Sequence, residues 1–561
     1  MFRKNTKHSQ MNLLGLFSSL SESKQKKAIS SEECHFYNLI FCNIKEEIFA
    51  SLYSDEKSRP NAPVNALVSA LILMNRYNWT YAELFKNMEF NILTKFALGV
   101  DSMDEMPFCP ATLFNFQNKL NDHFVNTGEN LLEQVFDNLT EQQLKTLKIK
   151  TNIQRTDSFQ AASNIRSYGR LQLLVELVIR IFQILSDEDK NKFQEQFQDY
   201  VKKTSGQFIY SLTVADIPHE LEKIGKLYQW IYQNLSESYK EYDIFKTFLR
   251  VFSEHFTVVE EKVEVKDSSQ LTSGCVQSPD DLDATYREKN GKKKRGQVIN
   301  VVETANPENE LNLITDVALK PNNTDESKIL NERLDRLKEK TPDLNELHFD
   351  GAYPSSENDV KFAEHEITPV QTGVRGPKPA VELTVEQISD ECYLVSCPNQ
   401  QVHSSRSRKR YKACFDITVC NQCPHNKECS TVKMKTHRVF YFTHEYFQKR
   451  KRIKVIKNLP PNRQKLRSNV EATVKEFTHR MPRGKLKVRG ALKAAFFAYM
   501  TAVAINFGRI YRYQKANPKG FFCFFVRICQ RTFCFDENSI FTVKNESYFK
   551  FLRLPILAGA F

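Results

Sequence analysis

The sequence predicts a multidomain α+β protein. Apolar residues recur at spacings of three and four over 31–140 and again over 166–258, which indicates amphipathic helices. Polar and apolar residues alternate over 145–160, and β-branched runs follow within 297–320, which indicates strands. The chain has 561 residues, of which 41% are hydrophobic. That is enough apolar material for about two to four hydrophobic cores.

The N-terminal region is predicted to be helical. The segment AELFKNMEFNILTKFALG at 82–99 has a helical apolar period, and the same period continues after Pro110. Pro60 and Pro63 separate the earlier helices. We therefore expect residues 1–140 to form a helical N-terminal domain, either with a helix-turn-helix or as a plain helical bundle.

The middle of the chain supplies the elements of a mixed sheet. LKIKTNIQRTDSFQ alternates as a strand does, and this strand is predicted to end at Asp157. Residues 262–295 are polar and are expected to form a loop that ends in a basic run. The elements predicted next are two hairpin strands at 297–305 and 311–320, an amphipathic helix at 326–340, and a short strand at 345–350 that ends at Asp350.

This order of elements, apart from the helical insert, is that of a ribonuclease H-like sheet flanked by helices. The first and fourth strands of that sheet are neighbours, so Asp157 and Asp350 should meet. The predicted domains are a helical N-terminal domain (1–140), a ribonuclease H-like core (145–375 and 450–515) with a helical insert (166–260), a Cys-rich insertion (376–449) and a C-terminal tail (516–561).

Three acidic residues are candidates for a metal site. Glu471 lies in a predicted helix crowded with Lys and Arg, and it joins Asp157 and Asp350 as the third acid. Carboxylates amid positive charge are suited to holding Mg²⁺ against a phosphate. The alternatives are a strand-end turn for Asp157, an Asp-Gly turn for Asp350, and a helical ion pair with Lys475 for Glu471. Asp281 is a rival, as is Asp283, although substrate contact or a structural role suits their loop better.

The chain resembles the insertion-sequence transposases that have a DDE catalytic core. The resemblance covers roughly residues 35–515 and rests on segments that occur in the expected order. These are RPNAPVNALVSALILMNRYNWTYAELFKNMEFNILTKFALG, CPATLFNFQNKL, TDSFQAASNI, SPDDLDATYREKNGKKKRGQVINVVETA, LHFDGAYPSSEND and the Arg-x-x-x-Glu of RSNVEATVKEF. The resemblance implies that Asp157, Asp350 and Glu471 are catalytic and bind Mg²⁺ or Mn²⁺. Such an enzyme cleaves DNA strands at the ends of its element and joins them to target DNA.

The resemblance also implies partners and leaves alternatives. DNA is the expected partner, bound in part by the helical N-terminal domain, and a homodimer or higher assembly is expected on DNA. Arg467 lies one helical turn before Glu471, where it suits either a phosphate contact or an ion pair. Tyr353 also matches related sequences, with core packing as its alternative. The chain as a whole suits two other functions, a transposase-derived DNA-binding protein that no longer cuts or another ribonuclease H-like nuclease.

Positive charge is concentrated in one segment. The formal net charge is +13, and residues 449–493 hold sixteen Lys and Arg but only two acids. Such a density suits a polyanion, with a solvated basic helix face as the alternative. The candidate DNA contacts are Arg467, Lys292, Lys293, Lys294, Arg295, Arg450, Lys451 and Arg452.

The Cys-rich insertion predicts a structural zinc site. Cys420, Cys423 and Cys429 form a Cys-x-x-Cys knuckle with a third Cys nearby. Cys397 is the preferred fourth ligand, and the resemblance supports this choice. Cys414, Cys392 and His425 are the alternatives to Cys397, and buried cysteines without metal are the alternative to the site.

The apolar stretch at 491–508 contains Lys493 and Asn506, and we expect a buried core helix there rather than a membrane span. The N-terminus lacks the features of a signal peptide. Thirteen Cys residues, an odd number, favour reduced thiols. These features favour a cytoplasmic protein, and the resemblance implies the bacterial cytoplasm.

Overall fold

The computed structural model describes residues 1–9, 15–16, 19–54, 59–289, 291–372, 381–389 and 391–517. The N-terminal part of this region is helical, as its apolar period predicts. Thr80 and Glu83 form a reciprocal capping box that starts one helix, and Gly128, at a φ of 76°, ends another. The helices are α1 (Glu22–Ile29), α2 (Glu32–Leu39), α3 (Val64–Tyr77), α4 (Tyr81–Phe90), α5 (Ile92–Ala97), α6 (Pro110–Thr127) and α7 (Leu131–Leu147).

A second helical cluster follows the first strand, β1 (Ile153–Ala162). Its own buried core includes Leu174, Tyr228 and Phe248, which are fully inaccessible to solvent. Its elements are α8 (Arg170–Ile184), α9 (Asp187–Lys192), α10 (Gln194–Val201), α11 (Ser205–Tyr210), α12 (Ile217–Tyr239), α13 (Asp243–His255) and the hairpin β2 (Phe256–Val259) and β3 (Lys262–Val265).

The central sheet has the predicted ribonuclease H-like topology. β1 pairs antiparallel with one strand and parallel with another, so it lies in the middle of the sheet. The elements that follow are β4 (Thr285–Lys289), β5 (Lys292–Thr304), β6 (Ile314–Pro321), α14 (Glu326–Lys340), β7 (Glu346–Phe349), α15 (Ser356–Glu364) and β8 (Thr368–Gln371). The order across the sheet is β6-β5-β1-β7-β8, with β4 paired to the start of β5. The predicted fold class, α+β, is confirmed.

The Cys-rich segment folds as a separate antiparallel sheet. Its core is formed by large apolar residues that include Tyr393, Phe415 and Phe442. The elements are β9 (Thr384–Ser389), β10 (Cys392–Ser396), β11 (Gln401–Ser407), β12 (Arg410–Asp416), α16 (Ile417–Gln422), β13 (Val432–Lys433) and β14 (His437–Phe442), in the order β13-β14-β12-β11-β10-β9.

The chain then returns to the central sheet through four helices. They are α17 (His444–Asn458), α18 (Pro461–Gln464), α19 (Val470–Thr478) and α20 (Ala491–Ala516). α20 is long and apolar enough to span a membrane, but 78% of its apolar window is buried in protein. It packs against α3, α7 and β6, and Asn506 exchanges two hydrogen bonds with the backbone of Ile314. The prediction of a buried core helix is therefore confirmed.

Two sequence expectations are corrected. β1 does not end at Asp157 but runs on to Ala162, because β5 pairs with it over the whole of that length. The polar segment 262–295 is not one loop, since it contains β3, β4 and the start of β5. The basic run lies in the β4–β5 hairpin, which turns at Gly291 with a φ of 72°. The predicted domain boundaries stay predictions, and the predicted tail lies outside the described residues from 518 onward.

Candidate active site

Strand register brings the first two candidate acids together. β1 and β7 run parallel, with Arg155 opposite His348 as their last pair. Asp157 and Asp350 each lie two residues beyond that pair, so both extend from the same end of the parallel ladder. Alternation along β1 also places Arg155 and Asp157 on one face of the sheet.

An arginine and the third acid reach these two from neighbouring segments. Arg467 lies in the short helical segment Leu466–Asn469, and Glu471 lies in the first turn of α19. Arg467 Nη2 lies 2.7 Å from Asp157 Oδ2 and 3.8 Å from Asp350 Oδ2. Arg467 Nη1 lies 3.8 Å from Glu471 Oε1. One guanidinium therefore contacts all three predicted acids. Among the described residues the ion-pair partner of Glu471 is Arg467, not Lys475.

The three carboxylates differ in their exposure to solvent. The side chain of Asp157 is 13% exposed, that of Asp350 29% and that of Glu471 64%. Burial raises the pKa of Asp157, while Arg467 and the amide of Ser158 act in the opposite direction. The site is therefore shielded from solvent at Asp157 on β1 and exposed to solvent at Glu471 on α19.

The opposite face of β1 is held by a polar network beside the site. Tyr353 is fully buried, and its hydroxyl accepts a hydrogen bond from Asn300 Nδ2 at 2.7 Å. Ser158 donates its hydroxyl to Glu326 Oε1 at 2.8 Å. Tyr353 therefore packs in the core, as its alternative interpretation predicts. Sequence reasoning gave no signal for the contact of Glu326 with β1.

Asp281 and Asp283 have structural partners rather than a place beside the three acids. Asp283 Oδ2 accepts a hydrogen bond from the amide of Ala491 at 2.8 Å and so caps the start of α20. Asp281 accepts a hydrogen bond from the hydroxyl of Ser163. Of the two roles that the sequence allowed, these contacts favour the structural one.

The predicted DNA contacts of the hairpin fall into two groups. Lys292 and Lys293 are exposed near the hairpin turn, and Lys294 is half-buried. Arg295 instead donates to Gln277 Oε1 at 3.0 Å and to the carbonyl of Tyr168 at 3.2 Å. The lysines at the turn are therefore available to a ligand, whereas Arg295 is engaged within the fold.

The three basic residues predicted on α17 also differ. Lys451 is exposed, whereas the side chain of Arg450 is 16% exposed and its Nε donates to Tyr446. Arg452 is buried, and its Nη1 donates to both carboxylate oxygens of Asp359 at 2.7 and 2.8 Å. The DNA contact predicted for Arg452 does not fit this geometry, because Asp359 and the core already engage its guanidinium.

The four cysteines predicted to bind zinc line one small cavity of the separate sheet, together with His425. The amide of Gln400 donates to Cys397 Sγ at 3.2 Å, and its side chain donates to Cys420 Sγ at 3.4 Å. Cys414 and Cys392, the alternative ligands, do not line this cavity. The preferred set of four cysteines, Cys397, Cys420, Cys423 and Cys429, thus shares one cavity.

Over the described part of the chain, no group of three or more His, Cys, Asp or Glu side chains has a geometry that could hold a metal ion. At the candidate active site the guanidinium of Arg467 contacts the carboxylates where a cation would have to bind. The structure thus brings the predicted ligands near one another without arranging them around an ion.

Two family models match the chain. One, described as Transposase DDE domain, matches residues 394–511, and the other, described as Transposase domain (DUF772), matches residues 25–119. The first match includes Arg467 and Glu471, and the second includes most of the N-terminal helices. Comparison with curated proteins and with solved structures gave no match.

Both matches are to transposase domains, and they support an enzyme that acts on DNA. The resemblance to insertion-sequence DDE transposases, which the sequence motifs predict, is confirmed by both matches. Neither match extends over Asp157 or Asp350.

Proposed function

We propose that this protein is a DNA transposase that cleaves strands at the ends of its element and joins them to target DNA. The observation that carries the proposal is the contact of Arg467 with Asp157, Asp350 and Glu471. These residues come from three distant parts of the sequence, and they meet at the end of the ladder where the fold class predicts a catalytic site.

The donor set fits a divalent cation. Asp157, Asp350 and Glu471 would hold Mg²⁺ or Mn²⁺, because carboxylate oxygens are the ligands that these ions prefer. Three carboxylates face one guanidinium, so the site has an excess of negative charge for a cation to neutralise. When bound, such ions stabilise the charge that develops on the attacking and leaving oxygens of a phosphodiester.

The chain's own residues supply orientation and shelter. β1 carries Asp157, and Asp350 directly follows the end of β7, where its Oδ1 accepts a hydrogen bond from the amide of Ala352. The side chain of Asp157 is the most sheltered from solvent of the three. Arg467 keeps the carboxylates together before a ligand arrives. Its guanidinium is also suited to a bidentate contact with a DNA phosphate.

Exposed lysines on or near α17 and α19 support binding of the DNA backbone. Several of them on or near α17 and α19 have no ion-pair or hydrogen-bond partner for their ammonium groups among the described residues. These are Lys451, Lys454, Lys465 and Lys475. We include the N-terminal helices 1–140 in the proposed DNA-binding surface, since one of the two transposase matches lies there.

The test is strand cleavage by the purified wild-type protein. The substrate is a duplex that carries the DNA flanking the coding sequence, with Mg²⁺ or Mn²⁺ added. We expect nicks at defined element ends that leave 3′-hydroxyl groups, followed by joining to a second duplex.

The rival functions give different results in the same assay. Tight binding of the element ends without cleavage in either metal would indicate a transposase-derived DNA-binding protein. Cleavage without preference for the element ends, and without joining, would indicate another ribonuclease H-like nuclease.

A further inference from the structure

A buried ionic network lies beneath the candidate active site. Glu303 on β5 has a side-chain exposure of 0%, and its Oε1 accepts a hydrogen bond from Arg155 Nε at 2.7 Å. Its Oε2 lies 2.8 Å from Arg509 Nη1 on α20. Buried ion pairs are weak evidence for stability, because removing charges from water costs free energy. The placement of a structural element is therefore a better explanation for this network.

The network holds the segment of Arg467 and Glu471 from both sides. Arg155 Nη1 donates to the carbonyl of Leu466 at 2.9 Å, next to Arg467. Thr473, two residues beyond Glu471, donates its hydroxyl to Glu303 Oε2 at 2.6 Å. Arg509 extends the network to Thr473 and Glu476, each at 2.6 Å from its Nη2. The start of α19 is thereby fixed to β1 and β5.

This connection matters because little else orients the third acid. Glu471 is 64% exposed, and its ion pair with Arg467 is 3.8 Å long. Arg155 lies on the same strand as Asp157 and faces the same side of the sheet. The network therefore spans from the strand of the first acid to the helix of the third.

We propose that Glu303 is a positioning residue that, through Arg155, Thr473 and Arg509, sets the distance of Glu471 from Asp157 for cation binding. The inference rests on the proposed function of those two acids. The charge state of the network supports it. Burial acts to raise the pKa of Glu303, but Arg509 and Arg155 outweigh burial and lower it, so Glu303 is an anion at neutral pH.

The sharpest test is a pair of substitutions at Thr473, which is buried and touches none of the three acids directly. Thr473→Val keeps the shape of the side chain and removes its hydrogen bonds with Glu303 and Arg509, whereas Thr473→Ser keeps the hydroxyl. Binding of Mn²⁺ to the DNA-free protein is measured by the electron paramagnetic resonance of free Mn²⁺. We expect Thr473→Val to weaken Mn²⁺ binding and to lower kcat about tenfold, as outer-shell changes do. KM for DNA should stay unchanged, and Thr473→Ser should match wild type.

The control separates positioning from general destabilisation. Asp316→Asn removes an equally buried anion, on β6, that contacts neither α19 nor the three acids. It should lower the unfolding temperature and leave Mn²⁺ binding unchanged. Should Thr473→Val not fold, Arg155→Lys gives the same measurement, since a lysine lacks the separate Nε and Nη1 groups that donate to Glu303 and to Leu466.

The inference and the proposed function fail in different ways. The positioning role would be overturned if folded Thr473→Val and Arg155→Lys bound Mn²⁺ and turned over DNA as the unchanged protein does. Cleavage by the unchanged protein would then still support the transposase function. Absence of cleavage by wild type, with Mn²⁺ binding insensitive to Asp157→Asn, would overturn the proposed function itself.

Discussion

Arg467 occupies the position on which the three acids converge. Its guanidinium keeps a half-buried pair of aspartates and an exposed glutamate within contact. These acids come from β1, from the residue that follows β7 and from α19. Like charges that approach one another raise the free energy of a site, and the guanidinium offsets part of that repulsion. The three carboxylates are thus held near one another in the protein without a ligand.

Loss of any one of the three carboxylates should abolish strand cleavage. We expect Asp157→Asn, Asp350→Asn and Glu471→Gln each to reduce cleavage at least about a thousandfold, because each removes an anionic ligand at a site of metal-assisted phosphodiester chemistry. DNA binding should change little, since it depends on Lys and Arg. Cleavage assays in Mg²⁺ and gel-shift titrations measure the two effects separately.

The matched control is Glu326→Gln, an acid beside the site that contacts Ser158 on the other face of β1. It should retain cleavage within about tenfold, the lower bound for outer-shell changes. A triad variant that cleaves as well as this control would remove that residue from the proposed catalytic set.

At the scale of single elements, the separate sheet β9–β14 is stabilised by few apolar side chains around Tyr393. Small cores of this kind commonly gain stability from a metal. The four cysteines line one cavity, and Arg438 lines it too, so a positive charge lies near the thiols. Burial raises the pKa of the Cys420 thiol, while Gln400 and Arg438 act in the opposite direction.

We predict about one zinc ion per chain, bound by Cys397, Cys420, Cys423 and Cys429. Replacing Cys420 and Cys423 with Ser should release the zinc and lower the unfolding temperature of the sheet, as measured by elemental analysis and thermal unfolding. Cys414→Ser, on the same sheet but outside the cavity, is the control and should keep its zinc. Zinc-free wild-type protein, purified under reducing conditions without chelator, would contradict the prediction.

A second buried ionic cluster joins α7, β6 and α14. Asp316 is fully buried between Arg333 Nε at 2.9 Å and Lys340 Nζ at 3.0 Å, and Arg333 also contacts Glu133 on α7. Burial acts to raise the pKa of Asp316, but Lys340 and Arg333 outweigh it and lower the pKa to about 2. This ion cluster fixes the last N-terminal helix to the central sheet.

The cluster should make stability depend on acid pH. The pKa of Asp316 is depressed in the folded state, so its contribution is fully present above the unfolded value of about 3.9 and is lost as pH falls toward 2. We expect it to contribute on the order of 2 kcal/mol, so that Asp316→Asn unfolds with a shallower acid dependence between pH 5 and about 2. Denaturant titrations across that range measure the slope.

Asp335→Asn is the control, because Asp335 lies on the same α14 but is 60% exposed. Its removal should leave the acid slope near that of wild type. Equal slopes for wild type and Asp316→Asn would show that Asp316 has no such linkage.

The sequence predicted the order of strands and helices better than it predicted contacts between side chains. Strand order sufficed to place Asp157 beside Asp350, because neighbouring parallel strands follow from the fold class. The pairing of Arg155 with Glu303 could not be predicted, since it depends on the register of β1 against β5. The burial of Arg452 was missed for a related reason. Its partner Asp359 is distant in sequence, and composition alone does not distinguish an exposed arginine from one held in an ion pair.

At the scale of the whole molecule, the basic surface should dominate DNA affinity. We expect replacement of Lys451, Lys454, Lys465 and Lys475 by Gln to weaken binding to all sequences alike, because phosphate contacts carry no base information. The slope of log affinity against log salt should fall by about 0.9 for each phosphate that the variant no longer neutralises. Titrations of wild type and variant at several salt concentrations give the slope.

The control removes the same charge from the helical cluster α8–α13, by replacing four exposed lysines there with Gln. These are Lys202, Lys203, Lys226 and Lys240. Their loss should change the slope little. Equal slopes for the two variants would mean that only net charge, and not the surface beside the site, attracts DNA.

The position of α20 in the chain determines when the N-terminal core is completed during synthesis. It packs against α3 and α7, helices that precede it by most of the chain, and its buried side chains complete their core. The N-terminal helices are synthesised before α20, at about 5–20 residues per second. The apolar faces that α20 covers therefore stay exposed until α20 has been synthesised. A polypeptide released early leaves those faces exposed to chaperones and proteases. A chain that ends before α20 therefore lacks the side chains that complete this core.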